Sequence, residues 1–586
     1  MNLPPTAECD SRLYISRSLT TTEGNLTGTW RFVRPSYEEK TAPCSAACPA
    51  GEDIARIEML AGRNLLRDAW ETILRENPFP SVCGRVCFHP CEGACNRAEL
   101  DAPVAIHHLE RHIGDAALSE DFPLPPALPD DRPVPDRAGG GSKRIAIAGA
   151  GPAGLSAAYF LARLGYGVEV FESEAEAGGL LRWGIPAYRL PAPILREEIA
   201  RLGDIGVRFR LKTPVTKGFL AEAAERFDGL VVACGFGRSI TPRIPGAEHA
   251  RDGLTFLHNV RNGGDGNPGG TAAVIGGGNS AVDVARTLVR LGTRAVIVYR
   301  RRKQDMPAFA HEIEMALAEG VELRELLAPA EMERRENGGL SLSLTPMRVS
   351  EMETDRGRAR VIPDAERSET LDVDHVFLAI GAEPADTRHI APPEALHLGH
   401  AVFQDDALPR VWAGDLTSPV QSVADAIGAG KQAAMALDTR FRDGVAAVPP
   451  AVAAARVADG PAHSMEIYLN GRRKERKRHV VRFPEINPDY FPRADRVAAP
   501  VLEPAVRRTS FDEVESPLPA DAALAEAARC FNCGICNDCD NCRLFCPEVA
   551  IRMEKTRGIN YDYCKGCGIC VTECPRSAMS LSEEAR

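Results

Sequence analysis

The sequence predicts a multidomain α/β chain with a helical, cysteine-bearing unit before it and a small α+β cysteine-bearing unit after it. Three observations lead there. The chain has 586 residues, far more than one hydrophobic core organises, so roughly three to five units are expected. Its middle alternates short Val/Ile/Ala runs with longer amphipathic stretches, the pattern of parallel strands joined by crossover helices. Its 18 cysteines sit at the two ends apart from Cys234: seven lie before residue 96 and ten between 530 and 574.

The first unit is expected over residues 1–118. From Asp53 to Asn77, residues Ile54, Ile57, Leu60, Leu65, Ala69 and Ile73 recur near helical spacing, so the runs PCSAACPAGEDI and FPSVCGRVCFHPCEGACN fall on loops around helices. The opening residues MNLPPTAECDSRLY carry neither the basic start nor the apolar core of a secretory signal, and a cytoplasmic location is expected. In a reducing compartment, clustered cysteines point to metal rather than disulfides. Residues 119–142 are rich in Pro and Gly and are expected as a linker.

Residues 144–172 run as an apolar strand, then Gly149, Gly151 and Gly154, then a helix, then a second strand ending in Glu172. Such glycines permit a tight turn, close approach of a pyrophosphate to the backbone and close helix packing, while the terminal carboxylate accepts from a ribose hydroxyl. A second unit, TAAVIGGGNSAVDVARTLVRLGTRAVIVYRRR, repeats the arrangement with Gly276, Gly278 and Ala281, but its second strand runs into Arg300, Arg301 and Arg302. Guanidinium groups at that place suit a 2'-phosphate, which favours NADP(H) over NAD(H). The fold class is therefore α/β with two Rossmann-like dinucleotide-binding domains, a helical iron-sulfur domain before them and an α+β ferredoxin-like domain after them. Gly414 and Asp415 in VWAGDLTSPVQSVADAIGAGKQAA resemble the closing motif of two-dinucleotide flavoproteins. That resemblance assigns the first fold to FAD, with Gly179 and the Gly414-Asp415 pair among its contacts. VVACGFG and VFLAIGAEP resemble the strand crossings that join such domains, so the NAD(P)H domain (236–375) is expected as an insertion within the FAD domain (143–235 and 376–440).

Residues 441–528 are expected as a connecting segment. Within it MEIYLNGRRKERKRHVVRF suggests two strands about an Asn-Gly turn, with a basic tip of Arg472, Arg473, Lys474, Arg476, Lys477 and Arg478 that is either a solvated end or a handle for an acidic redox partner.

The last unit, 529–586, holds the strongest signal. Cys536, Cys539, Cys542 and Cys546-Pro547 form C-x2-C-x2-C-x3-C-P, and Cys564, Cys567, Cys570 and Cys574-Pro575 repeat it. In two-cluster ferredoxins the fourth cysteine crosses over, so one [4Fe-4S] cluster is expected on Cys536, Cys539, Cys542 and Cys574, the other on Cys546, Cys564, Cys567 and Cys570.

With WGIPAYRLP, GGGNSAVDVAR and YRRRKQDMPA, the N-terminal cysteine run resembles the small subunit of NADPH-dependent glutamate synthase and its relatives, including a domain of dihydropyrimidine dehydrogenase, over roughly residues 40–440. The resemblance implies two further [4Fe-4S] clusters, making four. This chain departs from the pattern, because no C-x2-C precedes Cys44 and Cys48; EAARCFNC supplies such a pair at Cys530 and Cys533 instead. Carried over residue by residue, one cluster takes Cys44, Cys95, Cys530 and Cys533, within the chain or across a dimer. The other takes Cys48, Cys87, Cys91 and an oxygen of Glu110, for which His107, His108 or His112 could substitute. Cys9, Cys83 and Cys234 are left as ordinary thiols.

The resemblance implies an FAD-dependent NAD(P)H oxidoreductase: hydride passes between nicotinamide and flavin, and single electrons pass through the clusters to or from soluble ferredoxin or a partner subunit. A C-terminal two-cluster extension resembles flavoproteins that serve sulfite reductase or 2-oxoacid:ferredoxin oxidoreductases. Glutamate synthesis with a large partner, a bifurcating transhydrogenase subunit and a non-catalytic electron-transfer scaffold are the alternatives, and a homodimer or a hetero-oligomer is the expected assembly. The net charge of -11 argues against a nucleic-acid binder, and no stretch approaches the roughly 20 apolar residues of a membrane span.

Overall fold

The computed structural model describes residues 24, 26–125, 141–264, 266–336, 338–355, 358–364, 366–384, 391–553 and 557–584. Most of the expected linker, together with Cys9, lies outside them. Among the described residues no helix is long and apolar enough to cross a membrane.

Two sheets built on parallel strands form the middle, the larger carrying two antiparallel strands, Leu396–Leu398 and Ala401–Gln404, at one edge. The larger has seven strands in the order Leu396–Leu398, Ala401–Gln404, Arg410–Trp412, Gly229–Val232, Arg144–Ala148, Gly167–Phe171 and Arg208–Arg210. Its central strands are apolar on both faces, as a sheet covered twice requires. Ile145, Ile147, Val231 and Val411 meet helices Pro152–Arg163 and Val423–Asp443, while Ala146, Ala148, Leu230 and Val232 meet Lys217–Arg226. The smaller sheet has five parallel strands in the order Glu322–Glu325, Arg294–Tyr299, Thr271–Ile275, His375–Leu378 and Arg251–Asp252. Helices cover one of its faces. On the other, Ala273, Ile275, Val296 and Val298 pack on Leu340, Leu342 and Leu344 of a four-stranded antiparallel sheet that the sequence reading did not separate from the nucleotide unit. The chain leaves the larger sheet and returns to it through a short antiparallel pair, Arg238–Ser239 with Ala382–Glu383, so the second dinucleotide fold is inserted in the first.

The stretch from Asp53 to Asn77 forms two helices, Ile54–Ala61 and Leu66–Ile73, because the chain turns over Gly62 to Asn64, with Asn64 at φ 57°. The first and last strands of the described residues meet: Val33–Tyr37 pairs antiparallel with Met579–Glu583.

The basic hairpin is corrected. Met465–Tyr468 is a helical turn capped by Ser464, whose Oγ accepts from Ile467 N at 3.1 Å, and Lys477–Val480 pairs in parallel with Lys40–Thr41. Arg472, Lys474, Lys477 and Arg478 are exposed, as a solvated end requires, but buried carboxylates draw Arg473 and Arg476 inward. Arg473 donates to Gly51 O at 2.6 Å and faces Glu76 at 3.2 Å; Arg476 grips both oxygens of Asp53 at 2.8 and 2.9 Å.

Candidate redox centres

Backbone geometry builds both glycine loops. Gly149 holds φ +101°, and a Cβ there would stand 2.4 Å from Ala233 O; at Gly154 it would stand 2.0 Å from Gly149 O. Over Gly151 and over Gly278, by contrast, a Cβ would meet nothing within 4 Å, so each loop leaves open space at its second glycine, room that a phosphate group could use. Gly179 and Gly414 converge on the first loop: their Cβ positions would lie 2.8 Å from Gly151 Cα and from Ala153 Cβ. Glu172 is buried, accepting from Ala150 N at 2.8 Å and Glu174 N at 3.0 Å, which ties the second strand's end to the loop. Asp415 follows Gly414, and burial, then Asp425, pushes its carboxyl up to about 6. In the second fold Ala281 is buried, and a Cβ at Gly276 would stand 2.2 Å from Ala379 O. Of the arginines after that fold's second strand, Arg301 is buried and donates Nε to Ala359 O at 3.3 Å, and Arg302 grips Asp305 at 2.7 Å. Arg300 stands exposed at the strand end.

None of the seventeen cysteines among the described residues is joined in a disulfide. At the C-terminal end they line two cavities. One is bordered by Cys546, Cys564, Cys567 and Cys570, the other by Cys536, Cys539, Cys542 and Cys574. The crossed arrangement of the fourth cysteines is thus laid out in space. Backbone N–H groups reach both crossing sulfurs at 3.3 Å, Ala550 N to Cys546 Sγ and Ala578 N to Cys574 Sγ, and Tyr37 Oη lies 3.2 Å from Cys542 Sγ. Burial, then neighbouring thiolates, pushes the Cys570 thiol up to about 12. Such a set ionises only against positive charge, which iron supplies.

The N-terminal thiols gather in two further sets. Burial raises the Cys44 thiol strongly, and the proximity of Cys95, Cys530 and Cys533 raises it more, so those four stand together within one chain. Cys91 feels Cys48 and Cys87 in the same way, and Cys87 feels Glu110. Asn77 Nδ2 donates to Glu110 Oε1 at 3.0 Å and to Glu52 Oε1 at 2.8 Å; burial and this like-charged neighbour push Glu110 well up. A carboxyl so placed can hold a cation, the charge its surroundings lack. Cys83 is buried beside Cys87 and Glu110, whereas half-buried Cys234 lies 3.5 Å from Ala148 O, apart from the sets. His107 and His108 turn toward Glu92 and each other, and His112 meets the backbone of Leu518.

What brings Cys530 and Cys533 back to Cys44 is a clamp of two buried arginines that periodicity gave no sign of. Arg97 donates to Arg529 O at 2.8 Å and to Asp101 at 2.8 Å, and its guanidinium lies 5.0 Å from the centre of the Phe531 ring. Arg529 reaches Asp101 at 2.9 Å, Ala102 O at 2.7 Å and Glu526 at 2.6 Å, while Glu526 accepts from Ala105 N at 2.8 Å. A third buried cation, Lys431 on helix Val423–Asp443, pairs with Glu76 and donates to Ala50 O, joining that helix to the loop after Cys48. A lysine on the inner face of an alanine-rich helix was the available signal for it.

Comparison with known proteins agrees with this layout. Residues 143–430 match the pyridine nucleotide-disulphide oxidoreductase family, 37–122 the dihydropyrimidine dehydrogenase domain II 4Fe-4S cluster family, and 558–580 a 4Fe-4S binding domain. The NADP(+)-dependent formate dehydrogenase subunit beta of Moorella thermoacetica is 32% identical over 84% of this chain and 70% of its own length. A homolog of the NAD-dependent dihydropyrimidine dehydrogenase subunit PreT from Salmonella typhi is 32% identical over 68% of this chain and 90% of its own. For the NADPH-Fe(3+) oxidoreductase subunit beta of Geobacter sulfurreducens the figure is 34%, over 59% of this chain and 52% of that protein. The chain belongs to the pyridine nucleotide-disulphide oxidoreductase family, as a flavin-dependent NAD(P)H oxidoreductase that carries 4Fe-4S domains at both ends.

Proposed function

We propose that the chain is the nicotinamide-oxidising, electron-delivering subunit of a larger redox assembly, with NADP(H) and FAD in its two dinucleotide folds and four [4Fe-4S] clusters on the four ligand sets described above. Bound together, these groups supply the exchange between a two-electron hydride and single electrons. The protein's part is to seat and order them. The open glycine positions receive the two pyrophosphates, Asp415 and the helix behind it face the flavin, and Arg300 is the guanidinium placed for a 2'-phosphate.

The supporting observation is the succession of ligand sets from the flavin-side helix outward. A Cβ at Gly428 of that helix would stand 2.5 Å from Pro49 O, next to Cys48. Cys91 of the first set feels Cys44 of the second, Cys533 of the second set stands three residues from Cys536 of the third, and Cys570 of the fourth feels Cys542 of the third. Each set thus adjoins the next, and exposed Cys539 and Cys567 lie at the far end. The relatives named above are subunits, which favours a partner redox subunit or a soluble ferredoxin as acceptor. The layout is shared in this reading with glutamate synthase small subunits, from which the displaced Cys530-Cys533 pair and the C-terminal unit set it apart.

Anaerobic mixing of the iron-loaded flavoprotein with NADPH tests the proposal: flavin absorbance bleaches within the mixing experiment and cluster signals appear by electron paramagnetic resonance. A flavin that NADPH and NADH both fail to bleach overturns it. Arg300→Ala raises KM for NADPH about tenfold or more and leaves NADH unchanged, the loss of a charged hydrogen bond.

A further inference from the structure

Outside the cysteine sets, two imidazoles and a carboxylate come together where three parts of the chain meet. We propose that His107, His108 and Glu515 bind a divalent transition-metal ion, Zn²⁺ being the best match, which fastens the connecting segment to the helical iron-sulfur unit. His107 and His108 open the helix Ile106–Ser119, Glu515 belongs to the connecting segment, and one donor atom from each lies within 4.8 Å of the others. Two imidazole nitrogens and one carboxylate oxygen are the ligand types of a three-residue zinc site, in which water completes a tetrahedron.

The surroundings are those of a ligand rather than of a packed histidine. His107 Nδ1 lies 2.6 Å from Glu92 Oε1, and Arg496 holds the other oxygen of Glu92 at 2.6 Å. A carboxylate on one ring nitrogen fixes the tautomer and turns the other nitrogen, Nε2, toward a metal. The His89 ring stacks on His107 with centroids 4.0 Å apart, holds a left-handed φ of 51°, and its Nε2 is buried without a hydrogen-bond partner among the described residues. His311, from the nucleotide-binding insertion, is close enough to feel both Glu515 and His107. The basic groups around the site are engaged elsewhere: Arg111 with Glu513 and Glu515 O, Arg496 with Glu92, Arg189 with Asp283 and Glu312. Glu515 thus brings negative charge to a place whose nearest uncommitted groups are imidazoles.

The position gives the ion a task. Glu513 pairs with Arg85 at 2.7 Å and Arg111 at 3.0 Å, so the connecting segment already crosses the iron-sulfur helices two residues before Glu515. A metal there fastens the same segment that leads on to Cys530 and Cys533, and Zn²⁺ does so with no redox chemistry of its own.

The test uses the intact, iron-loaded flavoprotein. Elemental analysis should find about one zinc per chain beside the iron, and protein stripped on a chelating resin should take up about one equivalent of Zn²⁺ alone. His108→Ala and Glu515→Gln should weaken that uptake by about 100-fold or more, and Glu92→Gln by about 10–100-fold, with iron and flavin content unchanged. Zinc X-ray absorption of the wild-type protein, which needs no variant to fold, should show a nitrogen and oxygen shell that includes imidazole. No uptake by the wild-type protein, equal uptake by the variants, or a shell dominated by sulfur would each overturn the site.

Discussion

The two cysteine regions reach the same end by opposite routes. At the C-terminal end, eight thiols from two contiguous motifs line two cavities, and the chain that supplies them spans residues 536–574. At the N-terminal end, one set of four draws on residues as far apart as Cys44 and Cys533 and depends on buried arginines to bring them together. A contiguous motif carries its geometry in its own loops. A dispersed one needs the rest of the fold first, because closing so long a loop must be offset by contacts elsewhere.

The sharpest way to break the comparison is to remove the borrowed ligands. Cys530→Ser with Cys533→Ser should lower iron content by about a quarter and leave the two C-terminal clusters in place. Delivery of electrons from NADPH to an external acceptor should fall beyond about 100-fold, while NADPH still bleaches the flavin. Unchanged iron in that variant would mean that the N-terminal set is completed some other way. Next in size is the clamp. Arg529→Met leaves buried Glu526 without its guanidinium partner and half-buried Asp101 with Arg97 alone, a change that costs about 3–5 kcal/mol in comparable buried pairs. Chemical unfolding should show the loss, and the N-terminal cluster signal should fade before the C-terminal ones.

Exposure gives a third, smaller contrast. Cys539 and Cys567 are exposed, whereas Cys44, Cys48, Cys87, Cys91 and Cys533 are buried. Under air or ferricyanide the C-terminal pair should therefore bleach at least about tenfold sooner than the N-terminal pair, followed by cluster-specific paramagnetic signals. Equal rates would show that the solvent reaches the inner sets by a path the fold does not display.

Legibility in the sequence follows the same divide. Spacing alone placed Gly149, Gly151 and Gly154, Gly276 and Gly278, and the two ferredoxin motifs, because each task is local: a turn, an open approach, a loop around a cube. Cys530 and Cys533 could be paired with Cys44 and Cys95 only through the resemblance, since nothing in the 434 residues between Cys95 and Cys530 encodes that contact by period. Within the basic run at 472–478, Arg473 and Arg476 were misread for a related reason. Side-chain charge predicts solvent exposure until a buried partner exists, and the partners of Arg473 and Arg476, Glu76 and Asp53, lie some 400 residues upstream. The antiparallel sheet on the insertion was hidden likewise, because its strands alternate as any half-buried strand does and only packing against Val296 and Val298 distinguishes them.

The smallest effect addresses the sulfurs themselves. Tyr37, from the N-terminal strand that pairs with Met579–Glu583, places its hydroxyl 3.2 Å from Cys542 Sγ, so even the self-contained C-terminal unit borrows one group from the other end of the chain. A hydroxyl donating to a cluster thiolate stabilises the more negative, reduced state. Tyr37→Phe keeps the ring and removes that hydrogen bond, worth about 0.5–1.5 kcal/mol, so the midpoint of the cluster on Cys536, Cys539, Cys542 and Cys574 should fall by about 20–60 mV. Its neighbour on Cys546, Cys564, Cys567 and Cys570 should keep its potential. A redox titration that resolves the two signals decides the matter: a shift confined to one cluster ties the N-terminal strand to electron transfer at the far end, and no shift confines the strand to holding the sheet.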